Sequence, residues 1–249
     1  EIEQLLKKIN IPTTMIAAWY DIFLDGEIAD WNLLHQNNPE ARLIIGPYHH
    51  NLCEMEEMEH PGIGQLRTEH AELDEYFFAM ETLFDTHLKG QGVVEDAPIR
   101  LYVMGRNEWR NEDEWPLART HYKKLYFHST GYAASDLNDG VMGWEPPVSD
   151  QAADAYDYNP LYPVTWSSEK DIWAILMNMG DRNEVEARPD VLTYTTPVLE
   201  EDLEVTGPIA AKIYAASSAP DTDFFVTLVD VHPDGHTQYL TQGQIRARY

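Results

Sequence analysis

The chain has 249 residues with 17 Lys plus Arg against 43 Asp plus Glu, so its net charge of −26 repels phosphate backbones and anionic lipid, and neither nucleic acid nor a membrane is expected as a partner. With 43% hydrophobic and 11% aromatic residues it has ample material for packed cores, which excludes general disorder. No apolar run approaches the roughly 20 residues of a membrane helix, no leader-like segment opens at Glu1, and the single cysteine, Cys53, excludes an internal disulfide or a cysteine-built zinc site.

In chain order, Thr14-Met15-Ile16-Ala17-Ala18-Trp19 follows Pro12 as a continuous apolar run, the pattern of a strand buried on both faces. Leu24, Ile28, Trp31 and Leu34 recur at helical spacing, predicting an amphipathic helix over roughly residues 23–36 that Asn37-Asn38-Pro39 stops. Leu43-Ile44-Ile45 is a second buried strand, ended by Gly46-Pro47. Strand, helix and strand with short connections make a βαβ unit with parallel strands. An acidic loop leads to the longest periodic segment, Leu73, Tyr76, Phe77, Met80, Leu83, Phe84, His87 and Leu88. It reads as a long helix packed along one face and closed by Lys89 and Gly90.

At Gly90-Gln91-Gly92 the texture changes, and beyond it the apolar period is two. Ile99–Met104, Leu125–Phe127, Val191–Tyr194, Ile209–Ala215 and Phe224–Val231 are predicted strands, and His232-Pro233-Asp234-Gly235 is a tight turn joining Phe224–Val231 to Thr237–Leu240 as a hairpin. Long Pro-, Gly- and Asp-rich connections fill roughly residues 130–190, as in a β-sandwich with wandering loops. Gln244–Tyr249 reads as a strand just beginning, and a short helix precedes the first buried strand, so both ends are expected to be cut from a longer protein.

In an open parallel α/β sheet, catalytic groups gather at the carboxyl ends of the strands. Here the first strand runs into Trp19-Tyr20-Asp21 and the second into Gly46-Pro47-Tyr48-His49-His50. Adjacent strands lie about 4.8 Å apart, so an acid and an imidazole in these loops can touch. A carboxylate there would fix the imidazole tautomer while the other ring nitrogen takes a proton from a nucleophile. Asp21 also has a plainer reading as the N-cap of the following helix, and spacing alone does not choose between His49 and His50.

These segments carry a resemblance. Trp19-Tyr20-Asp21, Gly46-Pro47-Tyr48-His49-His50 and Phe84-Asp85-Thr86-His87-Leu88-Lys89-Gly90 resemble the G-W-Y-D, G-P-W-x-H and F-D-x-x-L-K-G segments of the serine-hydrolase family of X-prolyl dipeptidyl peptidases, cocaine esterase, α-amino-acid ester hydrolases and glutaryl-cephalosporin acylases. Pro98–Gly105, Trp109-Arg110, Glu114-Trp115-Pro116, Glu186–Leu192, Ser217–Phe224 and Gln244–Tyr249 continue the likeness in order. The resemblance implies an α/β plus all-β fold: residues 1–93 as the carboxyl-terminal portion of an α/β-hydrolase domain and residues 94–249 as a jelly-roll β-sandwich. It implies Asp21 and His50 as triad acid and base, and Trp19, Tyr20, Tyr48 and His49 as substrate-binding neighbours. A small ester, amide or peptide is the expected substrate, with no cofactor and no metal, in a cytoplasmic setting.

The family's G-x-S-Y-x-G nucleophile elbow is absent from these 249 residues, since His128-Ser129-Thr130-Gly131 has the wrong context. A base without a nucleophile cannot start acyl transfer, so the chain alone is expected to be inactive. A missing amino-terminal hydrolase segment, or a homo-oligomer, is expected to cover its open sheet edge. Relatives that take α-amino esters place acidic residues after the triad Asp. Ile22 and Phe23 stand there here, which favours an esterase or acylase over an aminopeptidase. Three rival features carry less: a metal cluster of His49, His50, Glu54, Glu56, Glu57 and His60; a nucleophilic Cys53; and a dinucleotide loop at Gly62-Ile63-Gly64. The Trp109, Trp115, Trp144 and Trp166 series belongs to core packing before sugar stacking. The rival from another class is a non-catalytic β-sandwich module binding carbohydrate or a protein partner.

Overall fold

In the computed structural model, which describes residues 2–50, 74–92, 97–148, 151–165 and 181–248, the apolar run after Pro12 is a strand. The short α1 (Ile2–Leu6) leads to β1 (Thr13–Tyr20), α2 (Leu24–His35) and β2 (Ala41–His49). β1 and β2 pair in parallel, from Thr13 opposite Ala41 to Ala18 opposite Gly46, and after an irregularity Tyr20 stands opposite His49. Their central runs, Met15–Trp19 and Leu43–Ile45, are continuously apolar because both faces are covered. Ala17, Leu43 and Ile45 pack with Trp31 and Leu34 of α2. Ala18 and Ile44 pack on the other face with Tyr48 and with Tyr76 of α3 (Asp74–Lys89). Gly90 follows α3 at φ 65°, a left-handed position that glycine takes without strain.

Two features differ from the sequence reading. β3 (Ile99–Val103) lies parallel beside β2 and β4 (Glu108–Glu112) antiparallel beside β3, giving the order β1-β2-β3-β4. The sheet therefore runs across the Gly90–Gly92 seam, and the chain divides into two compact units at Ala118 and Arg119. Ile99 and Leu101 fill one core and Tyr102 the other, so the period-two texture at β3 marks burial on both faces. The α3 stripe, in turn, is not buried along its length. Tyr76 is buried and Ala79 packs beside it, but Phe77, Phe84 and Leu88 are exposed. Among the described residues, the one side chain of α3 that is fully buried is Tyr76, in its first turn.

In the second unit β5 (Tyr126–His128) pairs antiparallel with β6 (Val141–Gly143), and β7 (Asp223–Val231) pairs antiparallel with β8 (Thr237–Arg246). The predicted hairpin forms, with His232 N–H donating to the His236 carbonyl at 2.8 Å and Gly235 at φ 88°. Gln244–Arg246 closes this hairpin against Asp223–Phe225 instead of opening a new strand. Among the described residues, Val191–Tyr194 and Ile209–Ala215 form no strand. Thr193 N–H donates to the Ala133 carbonyl at 3.2 Å and Thr195 makes one bridge to Val141, short of a ladder, whereas Ile209, Ile213 and Tyr214 are exposed. The short helix α4 (Asn183–Glu186) precedes them. No helix among the described residues is long and apolar enough to cross a membrane.

Candidate active site

The site grows from the tips of the first two strands. Tyr20 and His49 are the last paired residues of β1 and β2, and Asp21 and His50 come next. Asp21 leaves the strand in a turn closed by its N–H on the Ala18 carbonyl at 3.0 Å. Its Oδ1 accepts the Phe23 N–H at 2.9 Å, which holds the carboxylate against its own backbone. Phe23 itself occupies the N-cap of α2, with no side-chain capping bond. Asp21 thus lies outside the cap and is free to bond elsewhere. His50 Nδ1 lies 3.1 Å from both Asp21 oxygens.

The Asp21 side chain is 15% exposed and that of His50 50% exposed. An ion pair so accessible adds little stability. What the contact supplies is orientation: a carboxylate accepting from Nδ1–H leaves Nε2 as the unprotonated, proton-accepting nitrogen. The Phe23 ring stands edge-on to the imidazole, centroids 5.2 Å apart at 67°, and limits its swing.

Of the two histidines, then, His50 meets Asp21. His49 is 5% exposed and turned into the unit. Tyr20 and Tyr48 are buried as well, and Trp19 donates its indole N–H to the Tyr102 carbonyl at 2.7 Å beside Trp115. All four brace the tips of the strands, since alternate residues of a strand buried on both faces turn inward on either side. Sequence reasoning missed Glu27, one helical turn beyond Phe23. Burial foremost, then the Asp21 carboxylate, push its carboxyl above the usual carboxylate range, against the pull of His50, and its Oε2 is buried without a hydrogen-bond partner. The i to i+4 spacing from Phe23 was the available signal.

Cys53, Glu54, Glu56, Glu57 and His60, with Gly62–Gly64, Leu73 and Trp166, lie outside the described residues. Among the described residues no group of three or more His, Cys, Asp or Glu side chains is placed to hold a metal ion.

Residues 91–249 match the family described as the X-Pro dipeptidyl-peptidase C-terminal non-catalytic domain. The chain belongs to the X-Pro dipeptidyl-peptidase and cocaine esterase family. It is 35% identical over 246 residues to the cocaine esterase of Rhodococcus sp. (strain MB1 Bresler), an alignment covering 96% of this chain and 41% of that protein. Its fold is similar over 99% of its length to 42% of the chain of an aminopeptidase from a marine sediment archaeon (Thaumarchaeota archaeon), with a TM-score of 0.84 at 24% identity. The chain thus spans about two fifths of the length of these family relatives.

Proposed function

We propose that this chain is the carboxyl-terminal part of a serine hydrolase acting on ester or amide bonds, contributing Asp21 and His50 to a triad whose serine lies outside residues 1–249. In that reading unit 1 belongs to an α/β-hydrolase sheet and unit 2 to a jelly-roll sandwich. His50 Nε2 takes the proton of the attacking serine, Asp21 holds Nδ1–H and stabilises the imidazolium, and the same nitrogen then returns the proton to the leaving group. Trp19, Tyr20, Tyr48 and His49 hold the strand tips that present the pair, the closest role their burial allows to substrate binding. Phe23, apolar and exposed against His50, and the exposed Ile22 before it favour a neutral acyl or alcohol group over an α-ammonium.

The observation that carries this reading is the pair of 3.1 Å contacts between His50 Nδ1 and Asp21, whose residues lie 29 apart in sequence. A non-catalytic sandwich module would place no demand on that geometry. The exposed α3 residues and the outer edge of β1 also gain an occupant, the serine-bearing hydrolase segment.

The test is a serine-directed fluorophosphonate. The 249-residue chain alone is expected to take no label, and the chain joined to a serine-bearing segment of the family is expected to label and to hydrolyse a p-nitrophenyl ester. Labelling of the chain alone would overturn the placement of the nucleophile. A joined enzyme whose turnover survives His50→Ala would overturn the assignment of the base.

A further inference from the structure

Unit 1 contains a buried tyrosine for which the acid and base roles have no use. Tyr76, in the first turn of α3, is 3% exposed. Its hydroxyl donates to the Ala17 carbonyl at 2.6 Å and accepts the Gly46 N–H at 2.9 Å. These groups belong to neighbouring strands. With Ala18 opposite Gly46, the slanted bonds of a parallel ladder direct the Gly46 N–H toward the Ala17 carbonyl. The hydroxyl therefore engages both halves of the last regular rung.

Beyond that rung the ladder weakens. Pro47 has no N–H to donate, the register becomes irregular between Ala18 and Tyr20, and Asp21 and His50 follow directly. The phenol ring is pinned edge-on by Tyr48 at 5.2 Å and by Trp109 at 6.5 Å. Only glycine fits at position 46, because a Cβ there would collide with the Tyr76 hydroxyl and the Tyr48 ring. Burial first, and Tyr48 second, push the phenol far above its ordinary ionisation range, so the hydroxyl remains a donor.

We propose that Tyr76 is a positioning residue for the Asp21–His50 pair, a hydroxyl clasp carried by α3 that sets how far the tips of β1 and β2 splay. The proposal rests on the triad reading. It adds that the acid–base contact depends on α3, since one bond bridges the 59-residue span from Ala17 to Tyr76. Displacements near 1 Å at a catalytic pair can cost about 100-fold in rate, so one rung of control is enough to matter.

The imidazole itself supplies the test, with no need for the serine. In the full chain labelled with 15N, His50 is expected to show a low-field Nδ1–H resonance and an Nδ1-protonated tautomer, both lost in Asp21→Asn. Tyr76→Phe, which removes one oxygen, is expected to shift that resonance upfield and to mix the tautomers, with the far-ultraviolet circular dichroism unchanged. Leu34→Ala, which loosens the opposite core, is expected to leave the resonance in place, separating position from stability. Site-specific replacement of Tyr76 by 3-fluorotyrosine keeps the ring and its packing but makes the phenol a stronger hydrogen-bond donor and a weaker acceptor, so it is expected to move the resonance even if Tyr76→Phe does not fold. A resonance unchanged by both Tyr76 replacements but lost in Asp21→Asn would overturn the clasp alone. One that survives Asp21→Asn would overturn the pair, and the clasp with it.

Discussion

Asp21 is asked to do two things at once, and its geometry allows both. One oxygen is held by the Phe23 N–H, and both oxygens lie 3.1 Å from His50 Nδ1. Because the imidazole is half exposed, the contact is worth little to folding, about 0–1 kcal/mol. Its value is kinetic in the proposed enzyme. Asp21→Asn in the joined hydrolase is expected to lower kcat by about 10⁴-fold with little change in KM or thermal melting, read from steady-state ester hydrolysis. Glu27 makes the opposite case. Its carboxyl is raised above 4.5 by burial and by Asp21, so the folded chain binds its proton more tightly than the unfolded chain. That contribution is present in full below pH 4.5 and is lost as pH rises through the folded value. Glu27→Gln is therefore expected to stabilise unit 1 at pH 7, by about 1 kcal/mol or less after solvent screening. The gain should vanish below pH 4, which urea melts at the two pH values would measure.

At the scale of elements, the βαβ unit follows from residue pattern because its demands are local. A continuous apolar run requires a strand covered twice, and the runs in β1 and β2 are covered by α2 and α3. Leu34→Ala is expected to cost about 2–5 kcal/mol in a denaturant melt, since Leu34 is 2% exposed in the α2 core. Phe84→Ala on the outer face of α3 is expected to change the melt of the isolated chain by about 0.5 kcal/mol or less. The two residues have similar hydrophobicity and sit at equally regular positions. Periodicity reports which side of a helix is apolar and is silent on what covers it, so the α3 stripe was legible while its exposure was not. Val191–Tyr194 and Ile209–Ala215 illustrate the same limit for strands, where a β-prone run needs a neighbouring edge to pair with.

For the whole chain, two tendencies oppose each other. A net charge of −26 repels a second copy, whereas exposed Phe77, Phe84 and Leu88, with β1 as the last strand of the sheet among the described residues, would favour association. Salt shortens the Debye length to about 3 Å at 1 M, removing the repulsion and leaving the apolar contact. Light scattering of the chain alone is expected to report a mass that rises above 28.6 kDa with concentration and with salt. Phe84→Lys with Leu88→Lys is expected to restore the monomer mass. A single mass at every salt concentration would show that this face needs no cover.

Residue order by itself determined the βαβ unit, the β7–β8 hairpin and the candidates Asp21, His49 and His50, because strand tips, turns and apolar runs are written in neighbouring residues. The choice of His50 rests on the family's motif, since nothing local distinguishes it from His49. Tertiary structure alone turned His49 inward, set Phe23 against the imidazole, carried the sheet through β3 and brought Tyr76 to the rung between Ala17 and Gly46. Each of these depends on which face a side chain takes relative to a partner far along the chain. That is fixed by packing and hydrogen-bond satisfaction in three dimensions, which no short window of residues contains.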